Sequence, residues 1–215
     1  MEIIIFGAPG VGKGTQAKIL STQLNIPHIS TGDILRDAIS KGTNMGLKAK
    51  ELVENGELVP DDIVAGIVDE VLSDSKARKG FILDGFPRTL EQAKLLQPIL
   101  EKTKIKNYVI LFLDAEDEII INRLSQRRLC TNCKSIVSLK EIVNGNTCPK
   151  CGSVDTLIQR KDDDVEVITR RVELFHNTTA PVIDYYKEKV KVIIIDGTKS
   201  IKEVSSRIFE ELGIN

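Results

Sequence analysis

A glycine-rich stretch near the N-terminus has the residue types and the spacing of a phosphate-binding loop. Gly7-Ala8-Pro9-Gly10-Val11-Gly12-Lys13 fits the pattern G-x-x-x-x-G-K. Glycines let the backbone approach an anion closely, and the start of a following helix together with Lys13 would attract its negative charge. The stretch therefore predicts a nucleotide phosphate site, although a glycine-rich turn could also simply join a strand to a helix.

The residue after the lysine departs from this pattern, because Gly14 stands there and the hydroxyl comes one position later, at Thr15. The magnesium-binding role of a hydroxyl directly after the lysine is therefore not predicted here. Asp84 ends an apolar run that begins at Phe81. Since parallel strands deliver side chains to the ligand-binding edge of a sheet, Asp84 is a candidate to orient water bound to Mg²⁺. The alternative is that Asp84 caps a turn.

Several arginines have a spacing that suggests anion binding. Arg123 and Arg127 lie four apart in a helix predicted over 116–126, which would place both on one face. Such a cluster needs acidic partners or phosphates nearby. Arg160 precedes acidic residues that are expected to begin a long helix, kinked at Pro181. Arg171 lies off the apolar stripe of that helix and could face solvent or a cleft.

All four cysteines, at positions 130, 133, 148 and 151, form the pattern C-x2-C-x14-C-x2-C, which is typical of a metal site. Four thiolates would close a tetrahedral shell, so the spacing predicts a structural Zn²⁺ that stabilises a small lobe. The alternatives are unrelated cysteines and a redox pair. The predicted ligands are Cys130, Cys133, Cys148 and Cys151.

Apolar runs that alternate with helical patterns predict an α/β fold, a doubly wound five-stranded parallel sheet with helices on both faces. The runs cover residues 3–6, 26–29, 81–84, 108–113 and 192–195. Two inserted segments interrupt this pattern: a helical segment over 30–59 and the cysteine-bearing lobe over 126–163. The core domain is then expected to comprise 1–29, 60–125 and 164–215.

Composition favours small partners. The chain has 215 residues and a net charge of −1, which argues against a nucleic-acid binder that relies on bulk positive charge. The sequence lacks a long apolar run and a signal-peptide pattern, so we expect a cytoplasmic protein without a membrane segment. Two classes fit these features: a phosphoryl-transfer enzyme, and a nucleotide-dependent binding module whose zinc lobe engages nucleic acid or protein. The lobe lacks aromatic residues for base stacking, which favours the enzyme. His28 and His176 are interpreted as packing or surface residues.

Four motifs together closely resemble the adenylate kinase family, in its long form with a zinc-bearing lid. They occur in the family's order and span most of the chain: Gly7 to Thr15, Ser30 to Arg36, Leu83 to Arg88 with Gln92, and Arg160 to Asp163. The resemblance implies a monomeric enzyme for ATP + AMP ⇌ 2 ADP with Mg²⁺, with 30–59 as AMP-binding domain and 126–163 as lid. The alternative is a related nucleoside monophosphate kinase that uses GTP as donor, or UMP or CMP as acceptor.

The resemblance also implies roles for individual residues. The ATP site would comprise Gly10, Val11, Gly12, Lys13, Gly14, Thr15, Arg123, Arg127 and the backbone of Lys199. The AMP site would comprise Thr31, Arg36, Glu57, Leu58, Val59, Gly85, Phe86, Pro87, Arg88, Gln92, Arg160 and Arg171. The catalytic groups would be Lys13, Asp84, Arg88, Arg123, Arg160 and Arg171. Gln92 also fits a capping box with Thr89, in which its side chain would reach the Thr89 amide.

Overall fold

The computed structural model describes residues 1–142 and 145–214, and a parallel sheet forms its centre. The strands are β1 Glu2–Gly7, β2 His28–Ser30, β3 Phe81–Asp84, β4 Val109–Asp114, β5 Arg127–Cys130, β6 Ile136–Ser138, β7 Leu157–Ile158 and β8 Lys191–Asp196. Five of them form the central sheet in the order β2-β3-β1-β4-β8, and every pairing in it is parallel. The predicted α/β fold with a five-stranded parallel sheet is confirmed.

Helices connect these strands. They are α1 Lys13–Leu24, α2 Thr31–Ser40, α3 Asn44–Glu54, α4 Asp61–Ser73, α5 Leu90–Lys102, α6 Asp117–Ser125, α7 Val165–Leu174, α8 Val182–Lys187 and α9 Ile201–Leu212. Short 3₁₀ turns cover Ser75–Lys79, Leu139–Glu141 and Lys161–Asp163, and a π-helix covers Phe175–Thr179. None of the helices within 1–142 and 145–214 combines the length and the apolar composition needed to cross a bilayer.

The sheet is buried on both faces, as the alternation along β1 shows. Ile4 and Phe6 join one apolar cluster with residues of α4, α5 and α8, whereas Ile3 and Ile5 join a second cluster with residues of α1 and α9. These two layers fix the carboxyl ends of the strands relative to one another. The loops that follow β1 and β3 are therefore anchored in the most buried part of the molecule.

The prediction that Arg123 and Arg127 share one helical face is wrong. Helix α6 ends at Ser125, and Arg127 is the first residue of β5. That strand pairs antiparallel with β6 and with β7 in a small second sheet. Strand pairing in this lobe overrides the helical pattern of the preceding residues, because local propensity is weak compared with tertiary context.

The long helix predicted after residue 163 is interrupted. Asp162 and Asp163 belong to a 3₁₀ turn, and α7 begins only at Val165. The predicted disturbance at Pro181 is confirmed, since a π-helix replaces the α-helix just before it and α8 starts just after it. Proline has no N–H to donate, so the regular hydrogen-bond ladder cannot continue through this position.

The cysteine-bearing lobe has a very small apolar core. Among the residues that the structure describes, its buried cluster consists of Cys130, Val137, Cys148 and Leu157. The lobe's predicted range, 126–163, includes Val143 and Asn144, which lie outside the described residues. A core of this size suggests that the lobe depends on a further stabilising element.

Candidate active site

The phosphate loop is a backbone cradle between β1 and α1. Gly12 precedes the helix with a φ of +113°, a conformation that a glycine adopts without strain. At the start of α1 the N–H groups of Lys13 and Gly14 have no intrahelical acceptor, whereas the Thr15 N–H donates to the Gly12 carbonyl, at 3.0 Å. Lys13 Nζ donates to the carbonyl oxygens of Gly7, at 2.7 Å, and Ala8, at 2.8 Å. Burial lowers the pKa of Lys13 to about 8. The loop can therefore offer an anion both N–H donors and an ammonium group.

Asp84 lies beside this loop at the end of β3. A Cβ atom at Gly14 would lie 3.5 Å from Asp84 Oδ2, so the carboxylate faces the residue after the lysine. His28 Nε2 lies 3.2 Å from the same oxygen, and both side chains are nearly buried. The interpretation of His28 as a packing or surface residue misses this contact with a candidate catalytic group. His176, in contrast, is half exposed and bonds to Asp117 at the surface.

A polar cavity lies between α2, the segment before α4 and the turn after β3. Most of the predicted AMP-site residues line it, together with Asp162: Thr31, Arg36, Glu57, Leu58, Val59, Gly85, Arg88, Gln92 and Arg171. Phe86 and Pro87 are buried, and neither is one of the described residues that line the cavity. Phe86 packs in the apolar core instead. The cavity therefore has guanidinium groups on several sides and a hydroxyl at Thr31.

The turn after β3 requires glycine at position 85. Its φ is +83°, and a Cβ atom there would lie 3.0 Å from both the Thr31 hydroxyl and the Arg88 guanidinium. The Gly85 carbonyl accepts from Thr31 Oγ1, at 3.0 Å, and from Arg88 Nε, at 2.8 Å. One small residue thus brings a hydroxyl and a guanidinium to the same wall of the cavity. Burial lowers the pKa of Arg88, which still carries a positive charge at neutral pH.

Gln92 does not close the capping box that the sequence predicts. Its backbone N–H donates to Thr89 Oγ1, but its side-chain Oε1 accepts from the backbone N–H of Arg88, at 2.7 Å. Its Nε2 donates to Asp61 Oδ1, at 2.8 Å. The side chain therefore connects the Arg88 turn to the start of α4, a tertiary contact that wins over the local one.

Two buried carboxylates hold three of the predicted arginines. Asp163, whose side chain is fully buried, pairs with Arg127 and Arg171. Asp162 accepts from Arg160 Nε, at 2.8 Å, and lies 3.0 Å from an Arg171 nitrogen. Burial alone would raise the pKa of Asp162, but the charges of Arg160 and Arg171 outweigh it and hold that pKa below its usual range. Burial lowers the pKa of Arg171 to about 10. We refer to these five residues as the arginine–aspartate cluster.

The sequence predicts the arginines of this cluster but interprets its acids as helix N-terminal residues. The arginines themselves are the feature of the sequence that could have identified these acids as their partners, since several close arginines require acidic partners or phosphates.

Arg123 stands apart from that cluster. Its guanidinium donates to the carbonyl oxygens of Gly197, at 2.6 Å, and Thr198, at 2.9 Å, and more weakly to Val11 in the phosphate loop. The Lys199 carbonyl lies 3.5 Å away, while the Lys199 side chain is exposed and pairs with Asp196. Arg123 thus joins the phosphate loop to the turn between β8 and α9.

The four cysteines fit a tetrahedral metal centre. Their Sγ atoms all lie within 4.8 Å of one another. Two pairs, Cys130 with Cys151 and Cys133 with Cys148, are separated by 3.8 Å. Tetrahedral zinc with Zn–S bonds of about 2.3 Å gives sulfur–sulfur edges of about 3.8 Å. Hydrogen bonding to Ser153, at 3.3 Å, lowers the pKa of Cys151 to about 6, whereas burial raises the pKa of Cys148 to about 11.

Comparisons with known proteins agree with this arrangement. A family model described as adenylate kinase matches residues 5–191. The adenylate kinase of Ruminiclostridium cellulolyticum is 46% identical over 217 residues and covers all of both chains. That of Chloroherpeton thalassium is 48% identical, over 99% of this chain and 98% of its own. That of Methanocella arvoryzae is 45% identical, over 97% of this chain and 96% of its own. The resemblance indicated by the four motifs is confirmed, and the chain belongs to the adenylate kinase family.

Proposed function

We propose that this chain catalyses the reversible transfer of the terminal phosphoryl group from ATP, as its Mg²⁺ complex, to AMP, which gives two ADP. Family membership supports this reaction. The observation that carries it is that the phosphate loop, Asp84 and an arginine-lined cavity meet at the carboxyl edge of one sheet. Open α/β sheets bind ligands at this edge.

ATP occupies the phosphate loop in this proposal. Its phosphate oxygens accept from the N–H groups at the start of α1 and compete for Lys13 Nζ with the carbonyl oxygens of Gly7 and Ala8. The loop residues concerned are Gly10, Val11, Gly12, Lys13, Gly14 and Thr15. Arg123 and the Lys199 backbone flank the base end of the nucleotide, since both lie at the turn beside the loop. Arg127 faces the phosphates.

AMP occupies the cavity, with Arg36 and Arg88 directed at its phosphate. An AMP phosphate oxygen attacks the terminal phosphorus of ATP, the bond from that phosphorus to the bridging oxygen breaks, and ADP leaves. The enzyme needs no nucleophile of its own, because the acceptor supplies the attacking oxygen. Its contribution is in-line alignment and neutralisation of charge.

The arginine–aspartate cluster supplies most of this neutralisation. Asp162 and Asp163 pair with Arg127, Arg160 and Arg171 and hold these guanidinium groups close together. Phosphate oxygens offer these guanidinium groups an equivalent bidentate acceptor. Guanidinium groups that are already held near the transferring group require little reorganisation during the reaction, which is the main source of electrostatic catalysis.

Mg²⁺ bound with ATP would neutralise phosphate charge, and Asp84 is placed to hold a water of its hydration shell. We further propose that 30–59 is the AMP-binding domain and that 126–163, fixed by Zn²⁺ on the four cysteines, is a lid that excludes water. We also propose that the enzyme is a monomer in the cytoplasm. The four free cysteines, grouped at one candidate metal site, support the compartment, since such thiols persist in reducing compartments.

A panel of acceptors and donors tests this function. ATP and GTP are each incubated with AMP, UMP, CMP and GMP, and the diphosphates formed are quantified. We expect ATP with AMP to give the highest kcat/KM. Comparable rates with GTP, or with UMP or CMP, would favour a related nucleoside monophosphate kinase. ATP hydrolysis that no acceptor changes would favour the nucleotide-dependent binding module.

A further inference from the structure

Two adjacent threonines in the π-helix make different hydrogen bonds. Thr178 Oγ1 donates to the Leu174 carbonyl, at 2.6 Å, four residues earlier in its own helix. This is the usual local bond of a helical threonine. Thr179 is buried, and its Oγ1 donates at 2.9 Å to the carbonyl of Arg88, a residue 91 positions away. Thr179 therefore bonds to the turn that carries Arg88, whereas Thr178 bonds within its own helix.

The π-helix accounts for this direction. Ala180 N donates to the Phe175 carbonyl, five residues back, at 2.8 Å. A π-helix turns less per residue than an α-helix, so it changes where the following side chains point. Pro181 favours such a local change because it cannot continue the ordinary ladder. Isolated π segments occur frequently at functional sites, which makes the target of Thr179 informative.

The backbone of Arg88 is held from two sides. Its N–H donates to Gln92 Oε1, at 2.7 Å, and its carbonyl accepts from Thr179 Oγ1, at 2.9 Å. The orientation of the Gln92 amide is unambiguous, because Asp61 can only accept from Nε2 and the Arg88 N–H can only donate to the oxygen. The Arg88 side chain is in turn bonded through Nε to the Gly85 carbonyl. These bonds fix the direction in which the guanidinium enters the cavity.

We propose that Thr179 is a positioning residue for Arg88: its hydroxyl fixes the Arg88 carbonyl and thereby aims the guanidinium at the AMP phosphate that attacks ATP. The inference rests on the proposed phosphoryl transfer. Small misplacements of a charge-stabilising group lower the rate strongly, whereas they change substrate binding less. Replacing Thr179 by valine keeps the shape and removes only the hydroxyl. We expect Thr179→Val to lower kcat about tenfold and to leave the KM for ATP within about twofold.

The test compares kcat, both KM values and the melting temperature of five variants: Thr179→Val, Thr179→Ser, Thr178→Val, Arg88→Ala and the double variant Thr179→Val/Arg88→Ala. Thr179→Ser should recover most of the rate, since it keeps the hydroxyl. Thr178→Val, the matched control, loses a local bond of the same type and should keep normal kcat. In the Arg88→Ala background, Thr179→Val should lower kcat by less than about twofold, because the group that it positions is already gone.

Normal kcat in Thr179→Val would overturn the inference, and so would the same tenfold loss in the Arg88→Ala background. If Thr179→Val does not fold, Thr179→Ala removes the same hydroxyl from a smaller side chain and is judged by the same criteria. The activity of the wild type distinguishes a failure of the proposed function from a failure of the positioning role. A wild type that forms no ADP from ATP and AMP refutes the proposed function itself, whereas an active wild type with an unaffected Thr179→Val refutes only the positioning role.

Discussion

The phosphate loop and the arginine–aspartate cluster both place positive charge in a poorly solvated site, but they satisfy it differently. Lys13 of the loop donates its hydrogen bonds to backbone carbonyl oxygens, and the charge of Asp84 acts on it without a direct ion pair. The three arginines of the cluster contact the carboxylates of Asp162 and Asp163. The dipoles of these carbonyl groups partly solvate the Lys13 ammonium group, whereas the two carboxylates neutralise most of the charge of the three arginines. The loop is therefore a preformed cradle with a partly compensated cation that has no direct ion pair, and the cluster is a set of ion pairs whose acceptors phosphate can replace.

The first prediction concerns Arg88, which lies between these two regions. Arg88→Ala removes a guanidinium for which neither the loop nor the carboxylates can substitute, so we expect kcat to fall about 10³-fold. The fold should persist, because the side chain makes its hydrogen bond to a single carbonyl, that of Gly85. Steady-state kinetics and a melting curve measure the two effects. Arg78→Ala, at an exposed arginine, is the control. Near-normal turnover of Arg88→Ala would remove Arg88 from the catalytic groups.

The second prediction tests whether the carboxylates hold the cluster together. Asp163→Asn leaves the guanidinium groups of Arg127 and Arg171 with one carboxylate fewer in a buried site. We expect the free energy of unfolding to fall by about 3 kcal/mol, measured by urea denaturation. Asp164→Asn changes the neighbouring residue, which is exposed and makes no side-chain cap. It should cost less than about 1 kcal/mol.

Inorganic phosphate sharpens this second test. If phosphate and carboxylate are equivalent acceptors, phosphate should stabilise Asp163→Asn more than it stabilises the wild type. Equal stability of Asp163→Asn and Asp164→Asn would show that the cluster does not depend on Asp163.

The third prediction extends the comparison to the cysteine-bearing lobe. Metal analysis should find about one zinc per chain, and a chelator should lower the melting temperature. Hydrogen exchange should show loss of protection first in β5, β6 and β7, since four buried residues form that core within the described part of the lobe. The central sheet, with its two large apolar layers, should keep its protection. A zinc-free chain whose melting is unaffected by the chelator would refute a structural metal.

The same contrast explains what could be predicted from the sequence. The phosphate loop and Asp84 depend on neighbours close in the chain, so their strands, turn and helix follow from local pattern. The cluster depends on partners far apart: Arg127 meets Asp163 across 36 positions. Local pattern interprets Asp162 and Asp163 as helix-capping acids and Arg127 as helical. The contacts of Gln92 with Asp61, of Thr179 with Arg88 and of His28 with Asp84 were missed for the same reason, since tertiary packing selects each partner.

The smallest expected effect concerns Lys13, the partly compensated cation of the loop. The pKa of Lys13 falls from 10.5 to about 8 on folding, because burial disfavours the ammonium form. Between these two values the unfolded chain binds more protons than the folded one, so stability should rise with pH in this window. In Lys13→Met that contribution is absent. We expect the wild type to gain about 1 kcal/mol relative to Lys13→Met between pH 8 and pH 10, a value reduced because the side chain is only partly buried.

Urea denaturation at several pH values measures this gain, and Lys202→Met, at an exposed lysine of α9, is the control that should follow the wild type. Asp162 of the cluster should respond in the same sense, but in an acidic window. The pKa of Asp162 is lowered on folding, so its contribution is present at neutral pH and is lost as the pH falls below about 4. Parallel stability curves for the wild type and Lys13→Met between pH 8 and pH 10 would mean that the loop compensates its lysine as fully as the cluster compensates its arginines, and the distinction between the two regions would fail.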